Sequence, residues 1–232
     1  MARRTDVLRL SVGTSRGTGF AIAPDRVLTS LHVVGKVVDG ELRLHGESIR
    51  IAAAIATGDD DELREAVCVA TRADIVDHDP ELDWVAIRVD AEAFAGVTVP
   101  ALGGVAASDQ SASWSTYGFP DGNDRLGKAT GGVIESTAAL VRLGSSVRTA
   151  IQAFSREAGA ASGGAVRGYS GGPVIVDGHV VGLLCAASED ADGRSAEGTL
   201  YAIPLTSIAR RLGLALDARA SIGSPRPPSV LP

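Results

Sequence analysis

Three residue types that together build a hydrolytic centre occur in this chain where side chains can be displayed. The first is Ser170, in the run VRGYSGGPVIV (residues 166–176). A serine bracketed by glycines and followed by an apolar strand can occupy a turn with its hydroxyl exposed, which is how a nucleophile is presented. A loop in which Gly and Ser only turn the chain has the same composition, so the reading depends on a base and an orienting acid elsewhere. His32, in Ser30-Leu31-His32-Val33-Val34, falls where a β-rich run ends, and Asp83 opens the apolar run that follows it. Taken alone, His32 reads more readily as a satisfied core histidine, and Asp77, Asp79 and Glu81 compete with Asp83. His45, His78 and His179 have no comparable context and read as surface or turn residues.

β structure must carry these residues. Val7 to Val12 alternates apolar and polar, and residues 17–30 read as two strands joined at Pro24-Asp25-Arg26. Leu42 to Ile51 reads as a hairpin around His45-Gly46, and residues 59–65 as an acidic surface loop without functional weight. Short strands are predicted at 67–70 and 75–76, then one in which Val85, Ile87 and Val89 share a face. Gly96 to Ala107 lacks periodicity and is the expected crossing between two lobes.

Beyond the crossing, a strand runs into the loop Gly118 to Thr130, and β-rich runs follow at 131–136, 138–143 and 149–154. Their spacing suits a small antiparallel barrel. Residues 173–187 are two apolar runs joined by Asp177-Gly178, a two-residue hairpin signal. Residues 199–204 form the last strand, after which Thr206 or Ser207 caps a short helix closed by Gly213. The organisation expected is an N-terminal lobe over 1–104 carrying His32 and Asp83, a C-terminal lobe over 105–216 carrying Ser170, and a Pro-rich tail or linker over 217–232.

Composition agrees with this. The 232 residues are 45% hydrophobic but only 4% aromatic, with 28 glycines, so the core must rest on Val, Ile, Leu and Ala while Gly serves many turns. Net charge is −6 with the basic residues spread out, leaving no patch suited to phosphates, so nucleic acid is excluded as a partner. Cys68 and Cys185 both lie in apolar segments and read as reduced core thiols rather than a disulfide scaffold. Arg9 interrupts the N-terminal apolar run, and no stretch approaches the ~18 apolar residues of a membrane span. A cytoplasmic chain is expected, with no membrane partner, no cofactor and no metal.

The runs GTGFAI before LTSLHVV, DWVAIRV, YGFP, GYSGGPVIV followed by GHVVGLL, and TLYAIP resemble those of chymotrypsin-like (trypsin-like) serine proteases. Within them the chain is most similar to bacterial peptidases of the Deg or high-temperature-requirement type, over most of residues 13–205. The resemblance implies an all-β fold of two six-stranded antiparallel β-barrels with a short C-terminal helix. It also implies a serine endopeptidase acting on protein or peptide substrates through an acyl-enzyme. Ser170 would be the nucleophile, His32 the general base and acid, and Asp83 the orienting acid. The backbone N–H groups of Gly168 and Ser170 would form the oxyanion hole, and Gly164, Ala165, Ala186, Ala187 and Ser188 the substrate pocket, whose small neutral walls favour a small or apolar side chain.

Two departures bear on control. Tyr169 stands where digestive relatives carry an aspartate that pairs with a newly cleaved N-terminus, and the N-terminus lacks a cleavage-activation motif. Another device must therefore order the oxyanion loop at 163–169, including a regulatory domain or partner among the expectations. The Pro-rich end implies the peptidase module of a larger bacterial signalling or defence protein. The alternative reading is a catalytically silent trypsin-like fold that binds peptides or partners.

Overall fold

The computed structural model of the chain describes residues 4–56, 63–120, 126–143, 146–155, 167–189 and 195–219. Its first lobe contains β1 (Leu8–Val12), β2 (Ser15–Ala23), β3 (Arg26–Ser30), the single helical turn α1 (Leu31–Val34), β4 (Gly35–Val38), β5 (Glu41–Leu44), β6 (Ile49–Ala56), β7 (Leu63–Ala70), β8 (Ile75–Asp79) and β9 (Trp84–Arg88). Seven of these strands form one antiparallel sheet in the order β7-β6-β1-β2-β3-β9-β8, and β4 pairs only with β5.

The second lobe contains β10 (Ala101–Leu102), β11 (Ser113–Gly118), β12 (Lys128–Leu143), β13 (Ser146–Phe154), β14 (Pro173–Val176), β15 (His179–Glu189), β16 (Ser195–Pro204) and the helix α2 (Leu205–Leu212). Here β15-β14-β11-β12-β13-β16 close into a six-stranded barrel because β16 pairs back onto β15, and β10 adds to β15 in parallel. The double-barrel, all-β architecture expected from the sequence is the one observed. Among the described residues no helix is long and apolar enough to cross a membrane.

Burial explains why several strands carry nearly unbroken apolar runs. On β9, Val85 and Ile87 pack into the first lobe's core, while Trp84 and Ala86 pack into a second cluster. That second cluster joins Phe20, Ile22 and Leu28 of the first lobe to Leu183, Cys185 and Ile203 of the second and to Ile208 of α2. A strand buried on both faces has no solvent side to demand alternation. A third cluster, including Trp114, Ile151, Val174, Val181 and Leu200, fills the second barrel.

Three local expectations need correction. Leu42 to Ile51 is not a hairpin: β5 pairs with β4, whereas β6 pairs with β1 and β7. The tight turn is Asp39-Gly40, with φ of 54° and 80°, positions that a two-residue hairpin loop requires. The runs at 131–136 and 138–143 are one continuous strand, β12, interrupted by register shifts between Ile134 and Ser136 and between Ser136 and Ala139. Neither Thr206 nor Ser207 caps α2, because the helix starts at Leu205 after Pro204; Gly213 closes it at φ 63°.

Asp217 and Arg219, expected at the start of a tail, are seated on the second lobe. The Asp217 amide donates to the Leu102 carbonyl at 2.7 Å, and the Arg219 guanidinium reaches Asp109 and Asp177. Residues 220–232 lie outside the described residues.

α2 is tied back to the first lobe by Arg211. Its guanidinium bonds both oxygens of Asp77 at 2.6 Å, Asp79 at 3.1 Å and the His78 carbonyl at 2.8 Å, and lies 5.2 Å from the Trp84 ring centre. Burial pushes the Asp77 carboxyl up, but the hydrogen bonds from Arg211 and the His78 amide, with the charge of Arg211, outweigh it and leave the group below its ordinary value of 3.8. A carboxyl depressed in the folded state stabilises above its unfolded value, and that contribution is lost as pH falls through the folded one. Arg211→Met is expected to cost about 0.5–1 kcal/mol at pH 7, as for partly exposed pairs. Urea melts should show the gap between wild type and variant narrowing as the pH is taken from 7 towards 3; a gap independent of pH would contradict the role of the pair.

Candidate active site

Strand register brings His32 and Asp83 together. β3 and β9 are antiparallel neighbours with Ser30 opposite Trp84, so the chain leaving β3 and the chain entering β9 meet at one end of the sheet. There the Leu31 amide donates to the Asp83 carbonyl at 3.0 Å, starting α1. The His32 amide donates to Asp83 Oδ1 at 2.9 Å, and His32 Nδ1 lies 2.6 Å from Asp83 Oδ2. A carboxylate oxygen accepts from the ring, so Nδ1 carries the proton and Nε2 presents its lone pair. The aspartate side chain is 18% exposed and the imidazole 49%, so the acid is sheltered while the base faces outward.

The acids that compete with Asp83 in sequence are occupied otherwise. Asp79 Oδ1 accepts the amides of Glu81 and Leu82 at 2.8 and 3.0 Å, building the turn that holds Asp83 at φ 54°. Aspartate tolerates this left-handed region better than most residues. Asp77 is bound by Arg211, and Glu81 by Arg148 of β13. Of these acids, Asp83 alone bonds His32.

The Ser170 loop docks onto β2 and β3 from the second lobe. The Thr18 amide donates to the Ser170 carbonyl at 2.9 Å, and the Ser30 hydroxyl donates to the Leu184 carbonyl at 3.0 Å. Leu184 in turn accepts the Gly171 amide at 2.7 Å and donates to Gly172 at 2.8 Å, pinning the loop to β15. Ser170 itself is half-buried. It is thus fixed beside the strand end from which His32 projects, two residues beyond Ser30.

Of the remaining expected residues, Gly168 is buried with φ 95°. A Cβ there would overlap the Phe119 carbonyl and lie 2.9 Å from Pro120 Cα, so only glycine fits. Gly164 and Ala165 lie outside the described residues. The backbone of Ala186, Ala187 and Ser188 is the outer part of β15, with Ala186 opposite Tyr201 and Ala187 opposite Leu200 of β16.

Two neighbours of the site carry no local signal in the sequence. His45, expected to be a plain turn residue, brings Nε2 to 3.0 Å from the His32 carbonyl, and its amide donates to Val34 at 3.0 Å, bracing α1. Cys185 is a buried free thiol. Burial pushes its titration far up, with the negative charge of Asp83 adding to the effect. It is therefore a neutral group within the electrostatic reach of the aspartate. Among the described residues no group of three or more His, Cys, Asp or Glu is arranged to hold a metal ion.

Residues 17–183 match the family model of the trypsin-like peptidase domain. No curated protein matches the chain. Among solved structures it is similar to the Rv3671c protease from M. tuberculosis in its active form, with 21% identity over 97% of this chain and 83% of that one and a TM-score of 0.62. It is also similar to Deg5, with 20% identity over 89% and 87% of the two chains and a TM-score of 0.62. The HtrA-type protease AlgW with a tripeptide matches at 20% identity over 90% of this chain and 60% of that one, with a TM-score of 0.60.

Docking of the serine loop rests on Gly171, whose φ is 83°. An added Cβ would overlap the Thr18 carbonyl and the Thr29 hydroxyl and lie 2.8 Å from the Ser30 amide, whereas at Gly178, with φ 78°, nothing lies within 4 Å. Gly178→Ala should therefore cost only the left-handed strain, about 1–2 kcal/mol. Gly171→Ala should add displacement of the loop, costing roughly 2 kcal/mol more, as overpacking does. Chemical denaturation of both variants checks this; equal costs would mean that the loop is not clamped against β2.

Proposed function

The chain belongs to the trypsin-like peptidase family, and from that premise we propose a serine endopeptidase in which Ser170 is the nucleophile, His32 the general base and acid, and Asp83 the residue that orients the imidazole. The observation that carries this is the two-point grip of Asp83 on His32, through the backbone amide and through Nδ1.

The steps follow from the groups present. With Nδ1–H committed to Asp83, His32 Nε2 accepts the Ser170 hydroxyl proton as Oγ attacks the scissile carbonyl. The imidazolium that forms sits against a carboxylate, which stabilises its charge without taking its proton. The N–H groups of Gly168 and Ser170 stabilise the developing oxyanion, a contribution worth on the order of 3 kcal/mol per donor in comparable sites. His32 then returns the proton to the leaving amine, and water repeats the cycle on the acyl-enzyme. The resemblance assigns Ala186, Ala187, Ser188, Gly164 and Ala165 to the substrate pocket, and small neutral residue types there would favour small or apolar side chains.

Purified chain is expected to hydrolyse peptides after Ala, Val or Leu in preference to Arg. Ser170→Ala should abolish turnover, and Asp83→Asn should lower kcat by about four orders of magnitude, the size seen when the wrong imidazole tautomer is held. Steady-state assays on a peptide panel test both points. Undiminished hydrolysis by Ser170→Ala would contradict the assignment of the nucleophile, and cleavage confined to Arg would contradict the pocket.

A further inference from the structure

The oxyanion-loop residue Gly168 is held in place from the other lobe. The hydroxyl of Thr18, on β2, donates to the Gly168 carbonyl at 2.6 Å, and the same oxygen accepts the Phe119 amide at 3.3 Å. A threonine hydroxyl has one proton to give, and here it is committed to that single carbonyl. The backbone of Thr18 is committed as well, its amide to Ser170 and its carbonyl to the Thr29 hydroxyl at 2.6 Å. The residue is fully buried. No water can replace these partners without opening the seam between the lobes.

The other sides of Gly168 are closed too. Its Cα faces the Phe119 carbonyl and Pro120, and the next residue, Tyr169, is 6% exposed, packed in the second barrel's cluster with its ring against Gly118. The peptide between Gly168 and Tyr169 is thus gripped at its oxygen by Thr18 and at its far end by the buried ring. Turning that peptide would strand a buried hydroxyl and a buried carbonyl, an unpaired state that interiors strongly disfavour.

We propose that Thr18 is a positioning residue for the oxyanion hole: its hydroxyl, by holding the Gly168 carbonyl, anchors the Cα from which the Gly168 N–H, part of the preceding peptide, projects. Anchoring of Gly168 is then built into the docking of the two lobes, with no need of a charged N-terminus. The proposal rests on the serine endopeptidase reading above.

The experiment compares wild type, Thr18→Val and Thr18→Ser. It measures kcat and KM on a peptide substrate and the affinity of a peptidyl trifluoromethyl ketone, which forms a tetrahedral oxyanion on the nucleophilic serine. Loss of a preorganised oxyanion donor lowers kcat by about 100-fold in comparable sites, so Thr18→Val should lose ~30–100-fold in kcat with KM changed less than about threefold. Ketone affinity should fall by a similar factor, and Thr18→Ser should recover both. If the valine variant does not fold, Thr18→Ala is read by the same criteria. Full kcat and full ketone affinity without the hydroxyl, or loss of kcat with ketone affinity intact, overturns the role of Thr18. Hydrolysis that persists in Ser170→Ala overturns the endopeptidase reading instead, so the two failures are distinguishable.

Discussion

The seam at Thr18, Thr29 and Ser30 is the constraint from which the rest of the structure follows. Within these few residues the first lobe donates or accepts hydrogen bonds to Gly168, Ser170 and Leu184 of the second. Thr18, Thr29 and Ser30 are polar residues with no exposure, so each bond left unmade costs the desolvation of both partners. Two barrels meeting through apolar surface alone could slide, because hydrophobic contact has no direction. The buried hydroxyls and amides add direction and fix the register between the loop that carries Ser170 on one lobe and the helical turn that carries His32 on the other.

The same economy governs the acids. Asp77, Asp79, Glu81 and Asp83 crowd one short segment, yet each is held: Asp77 by Arg211, Asp79 by the turn amides and Arg211, Glu81 by Arg148, and Asp83 on His32. Arg148 comes from β13 and Arg211 from α2, so the second lobe supplies cations to all three acids beside the aspartate that bonds the histidine. What remains is one carboxylate aimed at one imidazole.

Much of this was legible in the sequence, and the reasons are local. Ser170, His32 and Asp83 stand out because each adjoins a strand end marked by its own composition, and Asp177-Gly178 specifies its turn without outside help. What could not be read depends on partners distant in the chain. The residues around His45-Gly46 look like a hairpin because alternation reports a strand's period and not its neighbour; β5 and β6 turn to different strands. Position before β9 marks Asp83 locally, but the distant partners that set the acids apart, Arg211 on Asp79 and His32 on Asp83, carry no signal there. Thr18, inside an apolar strand, reads as filler until Gly168 is seen 150 positions away against its hydroxyl. The run of small residues before Arg167 has no period to read at all.

If the seam assembles the site within the chain itself, Ser170 needs neither N-terminal cleavage nor a partner to act as the nucleophile proposed above. Intact-mass analysis of the purified, folded chain after exposure to a fluorophosphonate measures this most directly. One label per chain, mapping to the peptide that contains Ser170 and absent after heat unfolding, is the result this account predicts. A folded chain that takes up no label, or that carries it on another residue, would contradict it.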